Sequence, residues 1–406
     1  MIEPRPEIDQ SIDRDKLSRL LKRLRRSRYP SDPVDFCDSG DFIRVLNHAV
    51  LTSDIDCLDS PAWLNWDITT RCNLHCLHCA ADAVWDPNGK GNDPVDTRQA
   101  HAIVDELARN EVLNVVLSGG EPFMRSDIYD ILVHLKEAGI FVTILTNGSL
   151  PIDFDALARL LDPTTDLVQV SLDGPTAKIH NRQRGAAAFA PAVHCIQELV
   201  RREITMKVNM VLTSINFLYA LDVYHLARRL DVPVLSFTVN CPVGRGEEIE
   251  RYDQRQHLLL SLELLDWQEC YETPAVRNNI LLVPYAVPEV RELVPPDSTV
   301  YFPRYRCLAG IAKAVLDAWG NLYPCPFMLY PAFKAGNILE RSFRDVWMEG
   351  MNWEDLRRGR DLRDTKCEAC GYLNVCRGEC PGPAYALYGT VHSPDPRCTF
   401  STEGYS

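Results

Sequence analysis

The chain has 406 residues, 46% of them hydrophobic, and a formal net charge of −13, and no apolar run approaches the length of a membrane span. This acidic balance argues against general binding to nucleic acid or to an anionic membrane. The first ten residues are polar and acidic, unlike an export signal, so the fifteen cysteines indicate metal ligation in a reducing cytoplasm rather than disulfides.

Residues 1–60 are predicted to form a basic helix followed by a tether. Leucines recur between lysines and arginines over residues 16–28, which is typical of a helix that packs on the main body and keeps its basic face in solvent. A docking surface for an acidic peptide or partner is the alternative. Prolines and aspartates over residues 29–60 favour an extended segment.

Three cysteines within eight residues follow the first predicted strand, 64–69, in which apolar and polar residues alternate. They are Cys72, Cys76 and Cys79. Thiolates this close must converge on a metal or repel one another. A [4Fe–4S] cluster with three cysteine ligands leaves one iron open for an outside molecule. The alternatives are buried core cysteines or a structural zinc, with His75 or His78 as a fourth ligand.

Short β-branched runs then alternate with longer amphipathic runs, which predicts six strand–helix units. Strands are predicted at 64–69, 113–118, 140–146, 166–172, 204–212 and 233–239. Helices are predicted at about 97–109, 126–138, 152–161, 188–202, 217–230 and 253–268. Six such units in order indicate an α/β fold with a parallel sheet, either doubly wound or a partial barrel.

The C-x3-C-x2-C spacing of the cysteine loop resembles the signature of the radical S-adenosylmethionine (SAM) enzymes. The resemblance implies an open (β/α)6 barrel over residues 61–250, followed by a connecting helical segment over 251–304. It also implies that the amino and carboxylate groups of SAM chelate the open iron, with His78 near the adenine. In this family the bound SAM is cleaved reductively to a 5′-deoxyadenosyl radical, which abstracts hydrogen from a substrate carbon.

The turn after the second predicted strand resembles the family's GGE motif, which holds the methionine end of SAM. Its residues here are Gly119, Gly120 and Glu121. Glycines let backbone approach a ligand closely, and a carboxylate can pair with an ammonium. A plain strand-to-helix turn is the alternative.

Four residues further along are assigned to SAM by the same resemblance. Ser171 and Asp173 match the region that contacts the ribose, and Arg184 resembles the arginine that reaches the SAM carboxylate. Asn209 lies where relatives contact ribose and adenine. Ordinary turns and strand residues are the alternatives.

Seven cysteines occupy the C-terminal region, residues 305–406: Cys307, Cys325, Cys367, Cys370, Cys376, Cys380 and Cys398. A zinc ribbon is one interpretation, since two CxxC-like pairs can hold zinc. With Gly320 five residues before Cys325, the full pattern resembles the SPASM extension of radical SAM enzymes. That extension carries two auxiliary [4Fe–4S] clusters, so three clusters are expected in all.

The resemblance divides these cysteines into two sets. One auxiliary cluster is assigned Cys367, Cys370, Cys376 and Cys398. The other is assigned Cys307, Cys325 and Cys380. Some relatives have a further cysteine where this chain has Tyr301, so the second cluster is expected to keep an open iron or to take a ligand from elsewhere. Three cysteines match no family position: Cys195, Cys241 and Cys270.

The sequence around Cys325 resembles the branch that matures mycofactocin and pyrroloquinoline quinone, whose enzymes modify ribosomally made peptides. Pro326 stands where sulfatase-maturing relatives have an aspartate. The resemblance therefore implies oxidative decarboxylation, cross-linking or epimerisation of a peptide residue. A separate leader-peptide-binding protein is expected because residues 1–60 are too short for such a domain, and flavodoxin or ferredoxin is the expected electron donor. The alternatives are modification of a small metabolite or tetrapyrrole and a non-catalytic metal-binding scaffold.

Overall fold

The structure is a computed structural model that describes residues 13–19, 56–185, 187–249, 254–271, 273–278, 287–294 and 307–398. The predicted tether and Tyr301 lie outside these residues, except for the end of the tether from residue 56. None of the described helices is long and apolar enough to cross a membrane.

A ten-stranded sheet organises the chain, with the strand order β12-β11-β10-β1-β4-β5-β6-β7-β8-β9. Its strands are β1 (Trp63–Thr69), β4 (Asn114–Gly119), β5 (Phe141–Thr146), β6 (Leu167–Ser171), β7 (Met206–Leu212), β8 (Val234–Val239), β9 (Ala275–Asn278), β10 (Lys313–Leu316), β11 (Asn321–Tyr323) and β12 (Gly336–Asn337). A separate pair consists of β2 (Arg71–Cys72) and β3 (Val84–Trp85). In the sheet order, every pairing from β10 and β1 across to β8 and β9 is parallel. The β10–β11 and β11–β12 pairings are antiparallel.

Helices cover the sheet and connect its strands. They are α1 (Thr97–Arg109), α2 (Ile128–Glu137), α3 (Phe154–Leu160), α4 (Ala177–Arg184), α5 (Phe189–Arg201), α6 (Ala220–Arg229), α7 (Gln254–Cys270), α8 (Pro288–Leu293), α9 (Phe343–Glu349), α10 (Glu354–Arg358), α11 (Leu373–Cys376) and α12 (Pro381–Tyr388). The capping box at Asp96 and Gln99 fixes the start of α1. One apolar core joins β1 and β4–β8 to α1–α3, α5–α7, α9 and α10.

The six predicted strand–helix units are confirmed: β1, β4, β5, β6, β7 and β8 are neighbours in chain order, and the sheet stays open between its edge strands β9 and β12. This is the partial-barrel α/β fold. Among the elements that were not predicted are α4, β9 and the C-terminal strands β10–β12. Helix α4 has a polar buried face that includes His180, Gln183 and Arg184, so it carries no apolar period.

The C-terminal region continues the same sheet. Strand β10 pairs with β1 in the register Trp63↔Lys313, and the hairpins β10-β11 and β11-β12 extend that edge. Two tryptophan side chains anchor the region: Trp347 Nε1 donates to Leu58 O and Trp353 Nε1 to Phe333 O, both at 2.9 Å. The cysteine-rich region is thereby fixed against the strand that leads into the cysteine loop.

Residues 14–19 of the basic segment are helical. Leu17 is fully buried in a second core cluster, against Leu258 and Leu262 of α7 and Val375 of α11. Lys16 forms an ion pair with Asp266 of α7. The described part of the basic segment thus packs on the main body through its apolar side.

Candidate active site

The carboxyl ends of the central strands surround one cavity of about 260 Å³. Its walls include Cys72, Cys76, His78, Cys79, Gly119, Gly120, Glu121, Thr146, Asn147, Ser171, Arg184, Thr238, Cys241, Arg245 and Phe327. The fold therefore brings the cysteine loop, the GGE turn, Ser171 and Arg184 to one place, although up to 112 residues separate them along the chain.

The cysteine loop is fastened to the GGE turn by its backbone. Gly120 N donates to Thr69 O and Glu121 N donates to Arg71 O, both at 2.8 Å. A Cβ atom on Gly120 would lie 1.9 Å from the Arg71 carbonyl oxygen, and one on Gly119 would lie 2.4 Å from that of Thr69. The two glycines are thus required by the close approach of two backbone segments of the chain itself.

The side chain of Arg71 also fixes the loop. Its Nη2 donates to Asp93 Oδ2 at 2.6 Å and to Met124 O at 3.0 Å, and its Nε donates to Asp93 Oδ1 at 3.2 Å. A bidentate pair of this kind, almost entirely buried, holds the first cysteine of the loop in place.

The thiols of Cys72 and Cys76 are buried, whereas Cys79 is half-buried. Burial raises the pKa of Cys72 to about 12 and that of Cys76 to about 11. Asn147 Nδ2 lies 3.8 Å from Cys72 Sγ, and the Cys76 thiol lies 3.7 Å from Arg184 O. Since a metal ligand must be a thiolate, binding of a cluster here releases protons.

Glu121 is a buried carboxylate on the cavity wall. Its Oε1 accepts from Thr146 Oγ1 at 2.8 Å, and its Oε2 accepts from Asn147 N at 2.7 Å. Burial nevertheless raises its pKa from 4.5 to about 7. Oε1 also accepts from Phe123 N at 3.3 Å, so it is Oε2 that keeps a lone pair with which Glu121 can accept a hydrogen bond from a cation in the cavity.

Arg184, Asp173 and His78 form a buried polar cluster. Arg184 Nε donates to Asp173 Oδ2, and Arg184 Nη2 lies 3.4 Å from His78 Nε2. Burial alone would raise the pKa of Asp173, but its charged and hydrogen-bonding neighbours, Arg184 foremost, outweigh burial and lower that pKa. Asp173 lies behind Arg184 rather than on the cavity wall, and its Oδ1 accepts from Val211 N at 2.8 Å. Asp173 therefore positions the arginine.

His78 and Asn209 differ in what they offer to a ligand. Burial lowers the pKa of His78 to about 4, so its ring is neutral at pH 7, and its Nδ1 has no hydrogen-bond partner among the described residues. Asn209 lies one layer behind the wall, where its Oδ1 accepts from Ser236 Oγ at 2.9 Å and Thr238 Oγ1 at 2.8 Å. Thr238 borders the cavity in its place.

Two residues of the site were missed by the sequence analysis. Arg245, in a Gly-Arg-Gly turn, donates from Nε to Cys76 O at 2.9 Å and from Nη1 to Asp82 Oδ1 at 2.7 Å. A Cβ atom on Gly244 would lie 2.6 Å from Cys79 O. The position of this turn, which begins five residues after the end of β8, was the available signal. Phe327 enters the cavity wall from the C-terminal region.

The C-terminal cysteines form two groups in space. The charges of Cys370 and Cys398 contribute to the raised pKa of Cys367, and those of Cys398 and Cys367 contribute to the raised pKa of Cys376, with burial the largest cause in both cases. In the second group, burial and then Cys325 raise the pKa of Cys307, and Cys307 is among the groups that raise that of Cys380. Cys241 also interacts with Cys380, and the division of these cysteines into two ligand sets stays a prediction.

A zinc site requires four ligands that converge on one atom, whereas a [4Fe–4S] cluster takes thiolates around its corners. Within the described residues, no three His, Cys, Asp or Glu side chains converge closely enough to hold a single metal ion.

An open parallel sheet whose strand ends carry three thiols, a buried glutamate and a buried arginine defines an α/β enzyme that holds a metal cluster beside a small cofactor. A sequence profile of the radical SAM superfamily matches residues 66–216, and a profile of the SPASM iron–sulfur cluster-binding domain matches residues 307–371. The chain belongs to the radical SAM superfamily. It is an enzyme whose barrel binds a [4Fe–4S] cluster and SAM and whose SPASM region binds auxiliary iron–sulfur clusters.

Similar proteins cover nearly the whole chain. The mycofactocin maturase MftC of Mycobacterium ulcerans is 30% identical over 362 residues, which are 86% of this chain and 89% of that protein. The AdoMet-dependent heme synthase of Methanosarcina barkeri is 27% identical over 349 residues, 84% of this chain and 97% of that one. The crystal structure of Streptococcus suis SuiB bound to precursor peptide SuiA has the same fold, with a TM-score of 0.70, 19% identity and coverage of 95% of this chain and 88% of that one.

Proposed function

We propose that this protein matures a ribosomally made peptide by radical SAM chemistry. The observation that carries the proposal is the 30% identity with a mycofactocin maturase over both the barrel and the cysteine-rich region. A scaffold that had lost its catalytic residues would not keep three thiols, Glu121 and Arg184 around one cavity.

Within this function, Cys72, Cys76 and Cys79 hold the SAM-binding cluster. Three aspects of the cavity support this assignment. Three thiols leave one iron of a [4Fe–4S] cluster open. Glu121 presents a carboxylate for the ammonium of SAM, and the Nδ1 atom of His78, buried and with no partner among the described residues, is available to a further polar group of the ligand.

When bound, the cluster and SAM supply the 5′-deoxyadenosyl radical that abstracts hydrogen from a substrate carbon. The side chains of this protein bind and orient. Arg184, fixed by Asp173, directs its guanidinium into the cavity, where its fork of donors suits the carboxylate of SAM. Arg245 fixes the loop that carries Cys76 and Cys79, and Ser171 offers a hydroxyl for the ribose. Asn209 accepts a hydrogen bond from Thr238 and so orients the Thr238 side chain on the cavity wall.

In the C-terminal region, Cys367, Cys370, Cys376 and Cys398 hold one auxiliary cluster, and Cys307, Cys325 and Cys380 hold the other. The grouping of their charges in space supports these sets. Buried clusters near the cavity suit the removal of the electron that remains on a substrate after hydrogen abstraction.

Exposed apolar side chains beside the cysteine loop favour a substrate with apolar or aromatic groups. Leu77, Val84 and Trp85 are 43%, 58% and 60% exposed, and the ring of Trp85 packs edge-on against His75 at 6.1 Å. A peptide segment can cover such a surface while one residue enters the cavity. We also propose a separate leader-binding protein and a flavodoxin or ferredoxin as reductant. The proposed location is the cytoplasm, which suits the described cysteines because they form no disulfide.

Modification of a tetrapyrrole is the second candidate, because heme synthases are 27% identical over 84% of the chain. Reconstituted enzyme should be incubated with SAM, reductant and either a short peptide encoded beside its gene or Fe-coproporphyrin III. A mass change in the peptide, together with 5′-deoxyadenosine formed in proportion to the modified peptide, supports the first function. A change in the porphyrin alone would replace it with the second.

A further inference from the structure

We propose that Cys241, on the loop after β8, is the fourth protein ligand of the auxiliary cluster held by Cys307, Cys325 and Cys380. The sequence resemblance assigns no role to this cysteine. The inference rests on the ligand sets proposed above and concerns how the second set is completed.

The loop places Cys241 firmly at the inner end of the barrel. Cys241 is 5% exposed and borders the cavity, two residues after the end of β8. Asn240 N donates to Leu212 O at 3.0 Å, Asn240 Nδ2 donates to Gly246 O at 3.0 Å, and Val243 N donates to Cys241 O at 2.8 Å. A ligand held by so short and well-bonded a loop is pre-organised.

The segments that carry Cys325 and Cys380 meet at the same wall. Phe327, two residues after Cys325, borders the cavity together with Cys241. Gly382, two residues after Cys380, packs against Phe327 so closely that a Cβ atom there would lie 2.7 Å from Phe327 Cβ. The two cysteine segments are thus in contact next to the wall formed by the loop of Cys241.

The charges around Cys380 agree with this placement. Cys241 and Cys307 both lie close enough to Cys380 to interact with it electrostatically. Arg397, whose Nε and Nη2 donate to Asp395 at 2.9 and 2.5 Å, interacts electrostatically with both Cys380 and Cys241.

A fourth ligand changes what the cluster can do. With three thiolates, one iron can bind substrate or solvent, whereas with four the cluster can only transfer electrons. Cys241 would also connect this cluster to the wall of the SAM cavity, so that an electron leaves the substrate by a short path.

The test uses the full chain with Cys72, Cys76 and Cys79 replaced by alanine, so that only auxiliary clusters remain, about eight irons by the usual count. Into this parent are introduced Cys241→Ala and Cys241→Ser, with Cys195→Ala and Cys195→Ser as controls. Cys195 is an equally buried barrel cysteine, 2% exposed, that lies in the core beside Gly148. Iron, sulfide and the midpoint potential of each cluster are measured.

We expect Cys241→Ala to lose about four irons, or to keep them with one iron that leaves on mild oxidation as a [3Fe–4S] signal. Cys241→Ser, which preserves size and offers an oxygen ligand, is expected to shift the potential of one cluster if the alanine variant is insoluble. The Cys195 variants should match the parent. If both Cys241 variants keep the parent's iron content and potentials, the inference is wrong. A parent with far fewer than about eight irons would instead contradict the ligand sets themselves.

Discussion

The two cysteine-rich regions of this protein enclose their thiols differently. Around the N-terminal loop the neighbours are polar groups with spare capacity: His78 Nδ1 has no partner among the described residues, and Glu121 carries a pKa of about 7. Around Cys370 and Cys376 of the C-terminal region, packed core residues such as Tyr372 and Val375 are neighbours. A site that admits a small molecule keeps polar groups available, whereas a site that only transfers electrons can be closed.

The largest effect should separate the two regions by activity. Cys76→Ala removes one of three thiolates beside the cavity, so we expect loss of about four of twelve irons and no detectable 5′-deoxyadenosine. Cys370→Ala changes the closed region, so SAM cleavage should persist while product formation fails. Formation of 5′-deoxyadenosine by Cys76→Ala at the rate of the unchanged enzyme would contradict the difference between the regions.

The second effect concerns the ion pair between Arg184 on the cavity wall and Asp173 behind it. Arg184→Ala leaves Asp173, fully buried, without its ion-pair partner, which should lower the free energy of unfolding by about 3–5 kcal/mol. Arg182, exposed on the same helix, is the matched control, and Arg182→Ala should change stability by less than about 0.5 kcal/mol. Thermal unfolding of the metal-free proteins measures both, and equal losses would refute the positioning role of Asp173.

The third effect concerns the close backbone contact between Gly120 and Arg71, which holds the cysteine loop in place. Gly120→Ala places a Cβ atom 1.9 Å from a carbonyl oxygen, so the loop must shift, at a cost of about 3 kcal/mol and with loss of the first cluster. Gly139 has a φ of +75°, but no atom of the described residues lies within 4 Å of an added Cβ, so Gly139→Ala should cost only about 1–2 kcal/mol and keep all iron. Iron content distinguishes them, and a full complement in Gly120→Ala would contradict the contact.

The smallest effect is a pH dependence. Burial raises the pKa of Glu121 to about 7, so the carboxyl is protonated below that pH and cannot pair with an ammonium. The affinity for SAM should therefore fall by up to about tenfold for each pH unit below 7. The raised pKa of Glu121 also affects stability. Between pH 4.5 and about 7 the folded state keeps the Glu121 proton and the unfolded state releases it, so the free energy of unfolding of the metal-free protein falls as the pH rises through this range. Glu121→Gln should bind SAM weakly at every pH; a slope retained in that variant would assign it to another group.

The repeating part of the fold followed from local pattern. Alternation and helical periods predicted the six strands and their helices within a few residues, because each is buried on one face by its neighbours. Helix α4 escaped because it buries His180, Gln183 and Arg184 and not an apolar stripe. Strand β10 was missed as part of the barrel sheet because it joins β1 from nearly 250 residues away.

Those residues of the site that belong to local sequence motifs could also be predicted. Spacing identified the cysteine loop and the GGE turn, and strand order brought them together at one edge. The contact of Arg245 with Cys76 O spans 169 residues and depends on how β8 ends, which no local pattern contains. The role of Asp173 likewise emerged only from its contact with Arg184 and its place behind the cavity wall.

The most direct test of the central claim is a single measurement on anaerobically purified protein: iron and sulfide content, followed by incubation with SAM and a strong reductant. We predict about twelve irons and formation of 5′-deoxyadenosine, as expected for three clusters of which one binds SAM. Little iron, or zinc in its place, with no cleavage of SAM would contradict the assignment of the three-cysteine loop.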